Sequence, residues 1–104
     1  MAGKEEFFVK PAVEGTQAIL DGAKLHKVKR IIVTSSAATI FFDGQATQDV
    51  YDETHFNTIT KKTPPYVKSK ILAEKVIFDF MEKENPEFTV CLLNPTLILG
   101  PGVL

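Results

Sequence analysis

At 104 residues the chain has room for one domain at most, and so short a domain buries too little of its surface to enclose a large ligand unaided. A composition that is 44% hydrophobic and 24% charged with a net charge of −1 excludes the disordered classes. It also offers no electrostatic case for nucleic acid, because the basic stretches Lys27-Val28-Lys29-Arg30 and Lys61-Lys62 are short and offset by nearby acids.

Apolar residues from Phe7 to Leu25 (Val9, Ala12, Val13, Ile19, Leu20 and Ala23, with Thr16) recur at three- and four-residue spacing, which predicts an amphipathic helix with Pro11 near its first turn. Gly22 with Lys24, His26 and Lys27 favours termination, since cations suit the negative end of the helix dipole. Arg30 to Ser35 is a β-branched run without alternation, as a central strand covered on both faces of a parallel sheet requires. From Ser36 to Pro65 periodicity is lost. The stretch Ala37 to Phe42 is apolar, Asp43-Gly44 predicts a turn, and the remainder reads as a functional loop with brief helical turns that walls a substrate. Thr63 is the expected cap of a second helix, with Pro64 and Pro65 in its first positions. Its buried stripe is Ala73, Val76, Ile77, Phe80 and Met81, and Asn85-Pro86 ends it. Phe88 to Leu93 is a second apolar strand, followed by an irregular path through Asn94-Pro95 and Gly100-Pro101-Gly102. The order contains one βαβ crossover, expected to be right-handed with parallel strands, so the fold class is α/β. Two strands alone leave bare edges, through which self-association is expected if nothing covers them.

Cys91 is the single cysteine, which excludes an internal disulfide and fits a reducing, cytoplasmic setting. The longest apolar run, Val90 to Leu93, is too short to cross a bilayer, and the Lys/Glu-rich N-terminus does not resemble a signal peptide. His26 and His55 have no Cys or second His at ligand spacing, so no metal is expected.

The residues that carry chemistry are Tyr66 and Lys70. On a helix, side chains at i and i+4 share a face, so the phenol and the ammonium can converge on one small substrate atom. A free phenol, with a pKa of about 10, holds its proton too firmly for easy exchange near neutrality, and an adjacent ammonium favours the phenolate. Ser36, at the carboxyl end of a parallel strand, lies where open α/β sheets bind ligands, and its hydroxyl can reach the same oxygen. Each residue also has a structural reading: a Ser-Ser pair can cap the following turn, and a Tyr at a helix start can be a half-buried packing residue.

Four segments in order resemble the extended branch of the short-chain dehydrogenase/reductase superfamily, which includes dihydroflavonol and cinnamoyl-CoA reductases. Lys10-Pro11-Ala12-Val13-Glu14-Gly15-Thr16 resembles the helix before the catalytic-serine strand, and Val28 to Ala38, ending Thr34-Ser35-Ser36-Ala37-Ala38, resembles that strand. Tyr66 to Lys75 resembles the catalytic helix. Asn94-Pro95-Thr96-Leu97-Ile98-Leu99-Gly100-Pro101 resembles the segment that lines the nicotinamide half of the cofactor.

The resemblance implies NADP-dependent hydride transfer (NAD being the alternative) to or from a small-molecule carbonyl. Tyr66 is then the proton donor, Lys70 lowers its pKa and binds the nicotinamide ribose, and Ser36, the last residue of Thr-Ser-Ser, orients the substrate oxygen. Thr34, Pro95, Thr96, Leu97 and Ile98 map onto cofactor-lining positions. Phe41 falls in the loop that contacts substrate in flavonoid reductases, where that branch often has a polar residue. The Gly-rich pyrophosphate turn and the C-terminal substrate region of the family have no counterpart in the sequence, so residues 1–104 are expected to be a partial NAD(P)-binding Rossmann-like domain carrying the catalytic half, inactive by itself. Two other readings remain open: a nucleotide-sugar epimerase or dehydratase of the same branch, and a truncated interaction module without chemistry.

Overall fold

The computed structural model describes residues 2–41 and 49–103, with side chains described from Glu5 onward. The chain forms α1 (Ala2–Leu25), β1 (Arg30–Thr34), a 3-10 turn η1 (Ala37–Thr39), α2 (Pro65–Glu84) and β2 (Thr89–Leu93). The strands are parallel neighbours in the register Arg30↔Thr89 to Thr34↔Leu93. Both helices pack together, and α2 also packs on η1. The predicted α/β class and the single βαβ unit are both present.

α1 begins earlier than the periodicity predicted, so Pro11 lies inside the helix rather than in its first turn. Proline has no N–H to offer the carbonyl four residues back, which is that of Phe7. The helix ends as expected: Lys27 turns left-handed at φ 55°, and the Val28 N–H donates to the Ala23 carbonyl at 3.0 Å. Lys24 in the last turn is paired with Glu84 of α2 at 2.8 Å, and that ammonium holds the Glu84 carboxyl below its ordinary range.

The expected cap of α2 is corrected. Thr63 is buried, and its hydroxyl accepts the Thr60 N–H at 2.8 Å, closing a turn before the helix. The N-cap is Pro64, which makes no side-chain cap bond, with Pro65 preset for the first helical turn. Asn85 ends the helix in the left-handed region at φ 42°, with its N–H donated to the Met81 carbonyl.

The core joins Leu20 and Ala23 of α1, Ile77 and Phe80 of α2, and Phe88 at the entry to β2. Ile31, Val33, Val90 and Leu92 supply its floor from one face of the sheet, and Val76 and Met81 flank it. The Phe80 and Phe88 rings stack with centroids 6.0 Å apart. The expected stripe of α2 therefore holds at Ile77 and Phe80, but burial extends to Val67, Ser69, Ile71 and Glu74.

The expectation that both faces of β1 are covered is not met among the described residues. Burial alternates along both strands, leaving Ile32, Cys91 and Leu93 on an exposed face, with Ile32 64% exposed. The β-branched run contains two-sided apolar character, but only one face has helices against it. The turn predicted at Asp43-Gly44 lies outside the described residues.

Phe80 marks the centre of the core. Phe80→Ala is expected to cost about 3–5 kcal/mol of folding stability, as large-to-small core substitutions do. Urea denaturation checks this, and an unshifted midpoint would place the stabilising core elsewhere.

Candidate active site

The strand pair is extended past its carboxyl end by two further backbone bonds. The Ser35 N–H donates to the Leu93 carbonyl at 2.7 Å, and the Ala37 N–H donates to the Pro95 carbonyl at 3.0 Å. The stretch from Thr34 to Ala37 thus runs beside the stretch from Leu93 to Pro95, at the end of a parallel sheet where ligands of α/β folds collect. Thr34 is exposed there, as are Thr96, Leu97 and Ile98.

Ser36 has extended backbone, φ −155° and ψ 147°, and caps η1: its Oγ accepts the Ala38 N–H at 3.1 Å. The capping role foreseen for a Ser-Ser pair is real, but it engages the oxygen as acceptor, leaving the hydroxyl proton for another partner.

α2 presents Tyr66 near its start, 49% exposed. The Lys70 Nζ lies over its ring, 5.8 Å from the centroid, so the i, i+4 geometry read from the sequence places the two side chains together. The helix that carries them is anchored by its neighbours. Val67 and Ile71 are buried, the Ser69 hydroxyl donates to the Tyr66 carbonyl at 2.6 Å, and the Lys68 Nζ reaches Glu5 of α1 at 3.1 Å. The packing of η1 on α2 brings the Ser36 turn against the helix that carries the pair.

Three residues at this site were not singled out from the sequence. The Asn94 Nδ2 donates toward the Ser36 carbonyl at 2.9 Å, Thr39 Oγ1 at 3.0 Å and Glu74 Oε1 at 3.2 Å. Glu74 follows Lys70 by four residues, and a carboxylate between the apolar Ile71 and Ile77 was the legible signal. Thr39 is buried, and its hydroxyl donates to the Ser36 carbonyl at 3.0 Å.

Beyond η1, Asn57 ties the loop back: its N–H meets the Thr39 carbonyl at 2.6 Å and its Nδ2 the Ala38 carbonyl at 3.0 Å. Phe41 stacks on Tyr51 with centroids 5.3 Å apart, and Tyr51 meets His55 edge-on at 5.1 Å. This aromatic row belongs to the loop expected to wall a substrate. Asp52 organises its far end, where Oδ1 accepts the Thr54 hydroxyl at 2.6 Å and the Thr54 N–H at 2.9 Å, with His55 Nδ1 at 3.0 Å. Those bonds, Thr54 first and His55 after it, hold the Asp52 carboxyl below its ordinary range.

Residues 2–103 match the model of the 3-beta hydroxysteroid dehydrogenase/isomerase family. The chain belongs to that family. A ketoreductase of Aspergillus niger is 39% identical over 101 residues, covering 90% of this chain and 30% of the relative. A dihydroflavonol 4-reductase of Gerbera hybrida is 37% identical over 107 residues, covering 95% and 28%. Cinnamoyl-CoA reductases match as well, so the resemblance read from the four segments is borne out. The solved structure of yeast methylglyoxal/isovaleraldehyde reductase complexed with NADPH superposes with a TM-score of 0.79 at 28% identity, covering 92% of this chain and 32% of that one. The chain spans about a third of the length of the relatives it matches. Among the described residues, no helix is long and apolar enough to cross a membrane.

The Asp52 turn gives a pH test. Because the folded carboxyl titrates below its ordinary value, its contribution is present above that value and is lost as pH falls through the lowered one. The Thr54 amide resonance is expected to hold its hydrogen-bonded position through the ordinary Asp range and to move only in stronger acid. A shift centred on the ordinary range would contradict the bonding described.

Proposed function

We propose that residues 1–104 form the catalytic part of an NAD(P)-binding Rossmann-like domain in an NADPH-dependent reductase of small aldehydes or ketones. The observation that carries this reading is the Lys70 ammonium over the Tyr66 ring on a helix packed against the Ser36 turn. The reductase relatives support carbonyl reduction over sugar epimerisation, and the NADPH bound to the yeast reductase supports the cofactor.

The exposed Thr34, Leu97 and Ile98 and the half-buried Pro95 fit a flat, largely apolar ring at the end of the sheet, and Thr96 adds a hydroxyl. These residues, with Lys70, would hold the nicotinamide end. When bound, that ring supplies the hydride that forms the new C–H bond at the carbonyl carbon. The Ser36 hydroxyl donates a hydrogen bond to the carbonyl oxygen and fixes its direction. The Tyr66 phenol gives that oxygen its proton as the C=O π-bond breaks, leaving an alcohol, and the Lys70 charge beside the ring offsets the phenolate formed. Phe41 and Tyr51 line the loop side and favour a substrate with apolar surface.

In the full-length protein that carries this chain, Tyr66→Phe is expected to lower kcat by about 10²–10⁴-fold, the usual scale of general acid catalysis. Lys70→Ala is expected to lower kcat and to raise the KM for NADPH. Loss of NADPH absorbance with aldehyde and ketone substrates measures both, and a Tyr66→Phe enzyme at the wild-type rate would overturn the assignment. Residues 1–104 in isolation are expected to show no turnover, since dinucleotide affinity relies heavily on a pyrophosphate site that this sequence does not contain.

A further inference from the structure

The Asn94 amide faces more acceptors than it can serve. Its nitrogen carries two hydrogens, yet the Ser36 carbonyl, Thr39 Oγ1 and Glu74 Oε1 all lie within 3.2 Å. Thr39 gives its own proton to the Ser36 carbonyl, so toward Asn94 it can only accept. Glu74 is 4% exposed, and its Oε2 is buried with no hydrogen-bond partner among the described residues. A carboxyl group held inside with so few donors destabilises the fold relative to an apolar side chain of similar size, so packing alone does not explain it.

Its position does. Tyr66, Lys70 and Glu74 follow one another at four-residue steps on α2, so Glu74 is the buried continuation of the face that presents the exposed Tyr66. Three acceptors around one amide also fix its orientation, because turning Asn94 over would aim its oxygen at three other oxygens. With the nitrogen inward, the amide bridges the peptide of Ser36 to the helix of Tyr66 and Lys70.

We propose that Glu74 and Asn94 are positioning residues, a clamp that sets the Ser36 hydroxyl against the Tyr66–Lys70 face through the Ser36 carbonyl. This rests on the reductase reading above. Neither side chain touches the reacting oxygen; their effect is on where Ser36 stands, and a displacement near 1 Å there is costly to rate.

The test uses the full-length protein. Asn94→Ala and Glu74→Leu are expected to lower kcat about 10- to 100-fold with the KM for NADPH within about threefold. Glu74→Gln, which keeps an acceptor for the Asn94 amide, recovers most of that loss. The deciding measurement is a double-mutant cycle: in a Ser36→Ala background, Asn94→Ala adds little further loss, because the group it positions is gone. Should Asn94→Ala fail to fold, Thr39→Val, which removes one hydroxyl from the cluster, is expected to give a smaller kcat loss that also vanishes in Ser36→Ala. A full, additive loss in that background, or unchanged kcat in Asn94→Ala and Glu74→Leu, overturns the clamp. Tyr66→Phe, measured in the same series, separates the two ideas: if it is inactive while the clamp variants are normal, the clamp fails and the reductase reading stands, whereas if it is fully active, the reductase reading itself fails.

Discussion

Two parallel strands can be neighbours only if the chain between them returns along the full length of the sheet, and α2 makes that return here between β1 and β2. The consequence is directional: both strands finish at the same end, so the turn after β1 and the segment after β2 must meet. They do so through backbone bonds that continue the ladder beyond its last paired residues, from Ser35 to Leu93 and from Ala37 to Pro95. Everything assigned to chemistry is attached to that junction. Ser36 sits between the two bonded residues, Asn94 between their partners, and α2 packs on the turn that Ser36 caps.

The helix meets three demands with different sides of one cylinder. Ile77 and Phe80 fill the core with Leu20 and Phe88, while Lys68 is drawn toward Glu5 of α1. Once those contacts set its rotation, the positions of Tyr66, Lys70 and Glu74 follow from the residue period without further adjustment. A site built on such an element draws on the rigidity of the core, and the start of α2, with Pro64, Pro65 and the buried Thr63 in place of a side-chain cap, presents Tyr66 half exposed.

Periodicity made the two helices and two strands legible, because a buried face imposes a repeat that the sequence must obey. Asn85 was legible for a different reason, since few residues accept the left-handed conformation that ends a helix there. What failed involved competition between partners. Thr63 has the chemistry of a cap, but its hydroxyl is taken by the Thr60 N–H, and Pro65 supplies the helix start regardless. Pro11 suits a first turn, but the helix runs through it. The run from Arg30 to Ser35 matches a two-sided strand in composition, and composition does not reveal which faces a given length of chain can cover. Glu74 carries a signal in its place between the apolar Ile71 and Ile77, but neither it nor Asn94 names its partner; only the crossover makes them neighbours, twenty residues apart in sequence.

The uncovered face of the sheet belongs to the same logic. Ile32, Cys91 and Leu93 project away from the helices, and Leu97, Ile98 and Leu99 continue apolar and exposed past the end of β2. Sheets of parallel strands are stable when both faces are covered, and an apolar surface of this kind asks for further layers. The relatives, about three times as long as this chain, have the material to supply such layers. The junction at the carboxyl end differs from that face in one respect: its bonds among Ser36, Thr39, Glu74 and Asn94 are all internal to the chain. The placing of the Ser36 turn against α2 is therefore encoded within these residues, while the apolar face and the stretch from Thr96 to Leu99 depend on what is set against them. On the reductase reading proposed above, the positioning of the reacting groups is thus local to the crossover, and the enclosure of a cofactor is distributed over the longer chain.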